Sequence, residues 1–194
     1  MTEGYEPMPA TLRNGTVDAA IRTHHARLAR GLTERVATLF SALNGPSPHL
    51  EAARTELTCY CEAELLPHAR AEEDSLYHAS AELPEGRLLV AAMLAEHAAL
   101  RTLIDEVFTA RSPGRLIAAA GALRSLFDAH LAKENDLLIP ALADAGVDLS
   151  QLVGHVHEIL GPSANRPPKN GTPAVAGHEV LDYRPYRLAA ATRT

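Results

Sequence analysis

The sequence predicts an all-α protein: an up-down-up-down antiparallel four-helix bundle followed by a poorly structured C-terminal tail. Three observations carry this prediction. Apolar residues recur at three- and four-residue spacing through four long stretches. The breaks between the stretches are short and built from Pro, Gly and Ser, and short connections force neighbouring helices to run antiparallel. Finally, 46% hydrophobic against 22% charged residues over 194 positions is the balance of one globular domain.

Residues 1–16 are a polar, Pro/Gly-punctuated lead-in. From Thr16 the first stripe runs Ile21, His25, Leu28, Leu32, Leu39, Leu43. Asn44-Gly45-Pro46-Ser47-Pro48 stops it and starts a second helix, with Ser47 as N-cap and Pro48 in the first helical position. The second stripe is Leu50, Leu57, Cys61, Leu65, His68, Glu72, Leu76, and Pro67 is expected to kink it one turn before Glu72. A turn at Leu83-Pro84-Glu85-Gly86 leads to Val90, Met93, His97, Leu100, Ile104, Val107. Ser112 caps the fourth stripe, Leu116, Leu123, Phe127, His130, Glu134, Leu137, Ala141, and Gly146 suits its C′ position. The bundle is thus expected over 17–160, where 150–160 adds a short helical turn. Residues 161–194, Pro/Asn/Gly/Lys-rich at their start, read as linker and tail.

Composition excludes several classes of function. A net charge of −6 argues against nucleic acid or an anionic membrane as partner. Five Tyr, three Phe and no Trp leave little for a base-stacking platform. No run of about 18 apolar residues exists, and the first residues lack the basic and apolar regions of a signal peptide. Cys59 and Cys61 are too close together for a fold-stapling disulfide. A cytoplasmic protein is the expectation; its oligomeric state is not legible.

The ten histidines carry the chemistry. Each stripe holds one, and the second and fourth add a Glu four residues later: His68/Glu72 and His130/Glu134. Positions i and i+4 share a helix face, so imidazole and carboxylate can converge on one point. At about 1.5 Å per residue, His25, His68, Glu72, His97, His130 and Glu134 all fall roughly 12–22 Å from the same bundle end. Uncompensated, so many polar groups at one level of an apolar core cost at least several kcal/mol per carboxylate. Two divalent cations, each with two His and sharing both carboxylates, satisfy every one of them. Imidazole with carboxylate suits iron, although spacing leaves manganese and zinc open. A hydrogen-bonded His–Glu network without metal is the alternative.

The other candidates are weaker. His24 is rotated off the stripe toward Arg27 and Gly31, which favours His25 as ligand. His49 and His78 read as surface residues, as do His155 and His157. Glu73 and Asp74 read as a solvated face that could steer cations to the site, Tyr77 as a packing residue ahead of a hydrogen-bond partner of the ligands, and Cys61 as a small core residue ahead of a redox sensor.

The order H…HxxxE…H…HxxxE, with His25-Ala26-Arg27-Leu28, Glu64-Leu65-Leu66-Pro67-His68, Glu96-His97-Ala98-Ala99-Leu100 and Leu137-Leu138-Ile139-Pro140, resembles the hemerythrin-like (HHE cation-binding) family over roughly residues 17–160. The resemblance implies two non-haem iron ions with a bridging oxo or hydroxo ligand, held by the six residues. It implies reaction with a small molecule, hydrogen peroxide first, dioxygen or nitric oxide as rivals. Catalase- or peroxidase-like or nitric-oxide-handling activity would follow from it. The alternative it implies is a non-catalytic iron- or oxygen-sensing module acting through a partner. The oxygen carriers of the family have five histidines and an Asp; only four histidines stand in the pattern here, which disfavours reversible oxygen carriage.

Overall fold

The computed structural model describes residues 10–153 and 159. The tail expected at 161–194, and His155 and His157, lie outside the described residues. The described residues form an all-α four-helix bundle. Helix α1 is Ala10–Ala42. Helix α2 is a continuous run of Ser47–Tyr60, Cys61–Leu65, Leu66–Glu72, Glu73–Tyr77 and His78–Ala81. Helix α3 is Gly86–Thr109. Helix α4 joins Pro113–Lys133, Glu134–Leu138 and Ile139–Asp144, and a short α5, Leu149–Val153, follows. Helices α1 and α2, α2 and α3, α3 and α4, and α4 and α1 pack as neighbours, closing the ring.

Several boundaries differ from the sequence expectation. Helix α1 begins at Ala10, ahead of the Thr16 start given by the apolar pattern. The N-cap of α2 is Pro46, with Ser47 already helical and no capping hydrogen bond from a side chain. Ser112 does cap α4, its hydroxyl accepting from the Arg115 amide at 3.4 Å. Gly146, at φ 77°, ends α4 in a Schellman arrangement: its N–H donates to Ala143 O and that of Val147 to Leu142 O, both at 3.0 Å.

Pro67 does not break α2. The helix widens into a π turn over Cys61–Leu65, with the Leu66 N–H reaching back to Cys61 O, and proline follows at once. Helix α4 repeats the device: a π turn over Glu134–Leu138, Ile139 N–H to Glu134 O, then Pro140. A proline lacks the N–H and crowds the carbonyl four residues back; the wider turn relieves both problems.

The core is in two parts. Leu28, Leu32, Leu39, Leu57, Ile104 and Phe127 belong to one apolar cluster, and Ile21, Leu76, Met93, Leu138 and Leu142 to the other. Along α1 the changeover falls between Ile21 and Leu28, and along α3 between Met93 and Leu100. Those are the intervals that hold His25 and His97, so the polar level lies between two apolar plugs.

Candidate metal centre

All six residues singled out by the stripes reach this level and are excluded from water: His25, Glu72 and Glu134 are 0% exposed, His68 and His130 1%, His97 2%. They assemble into two groups, His25, His68, Glu72, Glu134 and Glu72, His97, His130, Glu134. Within each group the ligand-capable atoms lie within 4.8 Å of one another. The two groups share both carboxylates and divide the four imidazoles equally.

One spacing, between two facing imidazole nitrogens, fits a cation better than a hydrogen bond, whereas the His–Glu spacings suit either. His97 Nε2 and His130 Nε2 are 2.9 Å apart. His68 Nε2 stands 2.9 Å from Glu72 Oε1, and His25 Nε2 3.3 Å from the same oxygen. Two donors each about 2.1 Å from one ion at a right angle would be separated by roughly 3.0 Å. Neither Glu72 oxygen, nor Glu134 Oε2, nor His25 Nε2 makes a hydrogen bond among the described residues. Buried carboxylate oxygens met only by imidazole nitrogens are costly, and a cation would satisfy them.

The outer nitrogens explain why the inner ones point inward. His25 Nδ1–H donates to Asn135 Oδ1 at 2.8 Å, His97 Nδ1–H to Glu73 Oε1 at 2.8 Å, and His130 Nδ1–H to Glu96 Oε2 at 3.0 Å. A donor proton on Nδ1 leaves the Nε2 lone pair facing the centre. Each acceptor sits beside a site residue of its own helix and serves the next helix: Glu73 on α2 holds α3, Glu96 on α3 holds α4, Asn135 on α4 holds α1. His24, beside His25, lies with its ring edge-on to His68, centroids 5.0 Å apart. Arg101 donates to Glu73 at 3.2 Å, and Lys133 pairs with Glu96. His24 also pairs with Arg27 at 2.6 Å, the direction that the helical wheel gives, although it is only 4% exposed.

Two expectations need correction. Glu73 is not a solvated residue: it is half-buried against His97, whose hydrogen bond lowers its carboxyl pKa. Tyr77 takes the less favoured of its two expected roles, a hydrogen-bond partner of the ligands rather than a packing residue. Its hydroxyl donates to Glu134 Oε1 at 2.5 Å and lies 3.2 Å from His130 Nε2 and 3.3 Å from His97 Nε2. On a regular α-helix Tyr77 would stand about 140° round from Glu72. The π turn over Glu73–Tyr77 carries it back toward the face of Glu72. Helical spacing alone could not reveal this.

The electrostatics suit the arrangement. Burial opposes ionisation of Glu72, but His68 and His25 outweigh it and hold the carboxyl well below its usual range. Burial, then the charges of Glu134 and Glu72, push the Tyr77 phenol far up, so it keeps its proton. Burial would lower His130, yet Glu134 and Glu96 raise it. Cys61 is buried, and burial pushes its thiol up to about 12, which fits a core residue rather than a reactive one. His49 and His78 are exposed, as expected.

The hemerythrin HHE cation binding domain family matches residues 16–142, more than half of the chain. The chain belongs to the hemerythrin HHE family. Its HHE domain therefore pairs a cation-binding family with a buried His/Glu cluster able to hold metal. No curated protein and no solved structure gave a match. Among the described residues of the HHE domain and its flanks, no helix is long and apolar enough to cross a membrane.

Proposed function

We propose that the HHE domain is a dinuclear non-haem iron centre that reacts with a small oxidant, hydrogen peroxide before dioxygen or nitric oxide. The single observation behind this reading is the sharing of Glu72 and Glu134 between two imidazole pairs. In it His25 and His68 would hold one ion and His97 and His130 the other, while Glu72 and Glu134 would serve both. A donor set of imidazole and carboxylate suits iron. When bound, a pair of irons would supply two electrons that, with two protons, convert one peroxide to two waters, and would recover two electrons from a second peroxide, which leaves as dioxygen and two protons.

The chain's own residues supply position, dryness and a proton. Asn135, Glu73 and Glu96 fix the imidazoles. Tyr77 keeps a proton 2.5 Å from Glu134 Oε1, inside the centre. Leu65, Leu66, Leu100, Ile104 and Phe127 wall a cavity of about 10 Å³ that touches His68, Glu72 and His97. That is the lower limit of the space one water needs, so an organic substrate does not fit it. Arg101 stands at the same cavity.

Elemental analysis and the visible spectrum of protein expressed in iron-replete medium test the centre. About two irons per chain with near-ultraviolet bands of a bridged ferric pair is the expected result; no metal, or a single zinc, would sink it. Peroxide then separates two uses of the centre. Sustained oxygen release supports catalysis. One stoichiometric oxidation supports a sensor, in which metal loading is coupled to folding.

A further inference from the structure

The two halves of the centre have the same ligand types but different outer partners. On one side both imidazoles donate to carboxylates: His97 to Glu73 at 2.8 Å and His130 to Glu96 at 3.0 Å. On the other, His25 donates to the neutral amide of Asn135 at 2.8 Å. The cations differ too. Arg101 and Lys133 sit beyond the carboxylates of the first side, on Glu73 and Glu96 rather than on the imidazoles. On the second side Arg27 pairs with His24, and Arg22 donates to the backbone carbonyl of Asn135.

A carboxylate accepting the Nδ1 proton pushes electron density onto Nε2 and makes the imidazole a stronger ligand; a neutral amide orients the ring but adds less density. The Glu73 and Glu96 side chains are 26% and 21% exposed but the two imidazoles only 1%, so water reaches the carboxylates and not the ring nitrogens, and the difference is reduced rather than erased. Resting on the dinuclear reading above, we propose that the two metal positions are inequivalent. The position at His97 and His130 fills first and holds its ion more tightly, and Glu73 and Glu96 are the positioning residues responsible. The position at His25 and His68 is the one emptied first when metal is scarce.

Anaerobic titration of the metal-free full chain with ferrous iron, followed by calorimetry, tests this. Two resolved steps are expected. Glu73→Gln and Glu96→Gln keep an acceptor oxygen but remove its charge; each is expected to weaken the first step by about ten- to a hundredfold and to spare the second. Asn135→Asp gives His25 a carboxylate partner and should strengthen the second step, narrowing the gap. Mössbauer spectra of the unmutated protein give a readout that needs no variant to fold. One equivalent of iron-57 followed by one of unenriched iron reports the position filled first, and the reverse order reports the other. Distinct doublets are expected. Identical doublets in both orders would overturn the inequivalence, and distinct doublets with glutamine variants that leave the first step unchanged would overturn the roles of Glu73 and Glu96. Failure to bind two irons at all would overturn the dinuclear reading instead.

Discussion

Tyr77 and Glu134 show how much one buried hydroxyl can do. The phenol is 1% exposed and gives Glu134 Oε1 a hydrogen bond at 2.5 Å, while Oε2 of the same carboxylate has none. Tyr77→Phe is expected to destabilise the metal-free protein by about 1–3 kcal/mol, the cost of stranding a buried charged acceptor. With metal bound the loss should be smaller, because a cation then shares that oxygen. Urea denaturation with and without chelator measures both values. Glu72 is the sharper case, since both groups of ligand atoms include it. Glu72→Gln is expected to lower metal content from two equivalents to at most one, read by elemental analysis. Full retention of two ions would remove Glu72 from the ligand set.

At the scale of the element, the π turns do what regular helix cannot. They let α2 and α4 pass through Pro67 and Pro140, and the one after Glu72 turns Tyr77 inward. The junction between α2 and α3 is equally constrained. A Cβ on Gly86 would stand 2.0 Å from the carbonyl oxygen of Ser80 and 2.7 Å from its hydroxyl. Gly86→Ala should therefore force the helix ends apart and cost about 1–3 kcal/mol. Gly114, in the first turn of α4, has open space where a Cβ would stand, with nothing within 4 Å, and no positive φ. There the same substitution should stabilise by up to about 1 kcal/mol, through the unfolded chain. Thermal unfolding of the two variants should shift in opposite directions.

For the whole molecule, stability depends on pH and metal together. Glu72, Glu73 and Glu96 are all held below their ordinary carboxyl range. Their contribution is present above the unfolded value of about 4.5 and is lost as pH falls through the folded values. His130 is held above its ordinary value, so its contribution is complete below about pH 6.5 and is lost as pH rises through the folded value. The metal-free protein is thus expected to be most stable at mildly acidic pH and to weaken toward neutrality and beyond. Cations need deprotonated imidazoles, so stabilisation by metal should grow over the same range. Melting temperatures with and without chelator from about pH 5 to 8 check this. A gap that stays constant with pH would contradict cations held on the imidazoles.

How much of the fold and the centre is legible in the sequence follows from what periodicity can encode. His25, His68, Glu72, His97, His130 and Glu134 stand in apolar stripes, and a helix face and a depth along it are one-dimensional quantities. The four helices, their order, and the level shared by the six residues were therefore determined by the sequence itself, and Gly146 and Ser112 marked helix ends by local backbone chemistry. Glu73, Glu96 and Asn135 carried a weaker signal, each lying beside a ligand candidate. Their role depends on which neighbouring helix they face, and that is a property of packing between helices. Tyr77 was ranked as packing ahead of hydrogen bonding, because the π turn changes the helical pitch locally and breaks the spacing rule from which its orientation is read. The unequal outer partners of the two imidazole pairs were likewise decided only by tertiary structure, since no contact within one helix distinguishes Glu73 on His97 from Asn135 on His25.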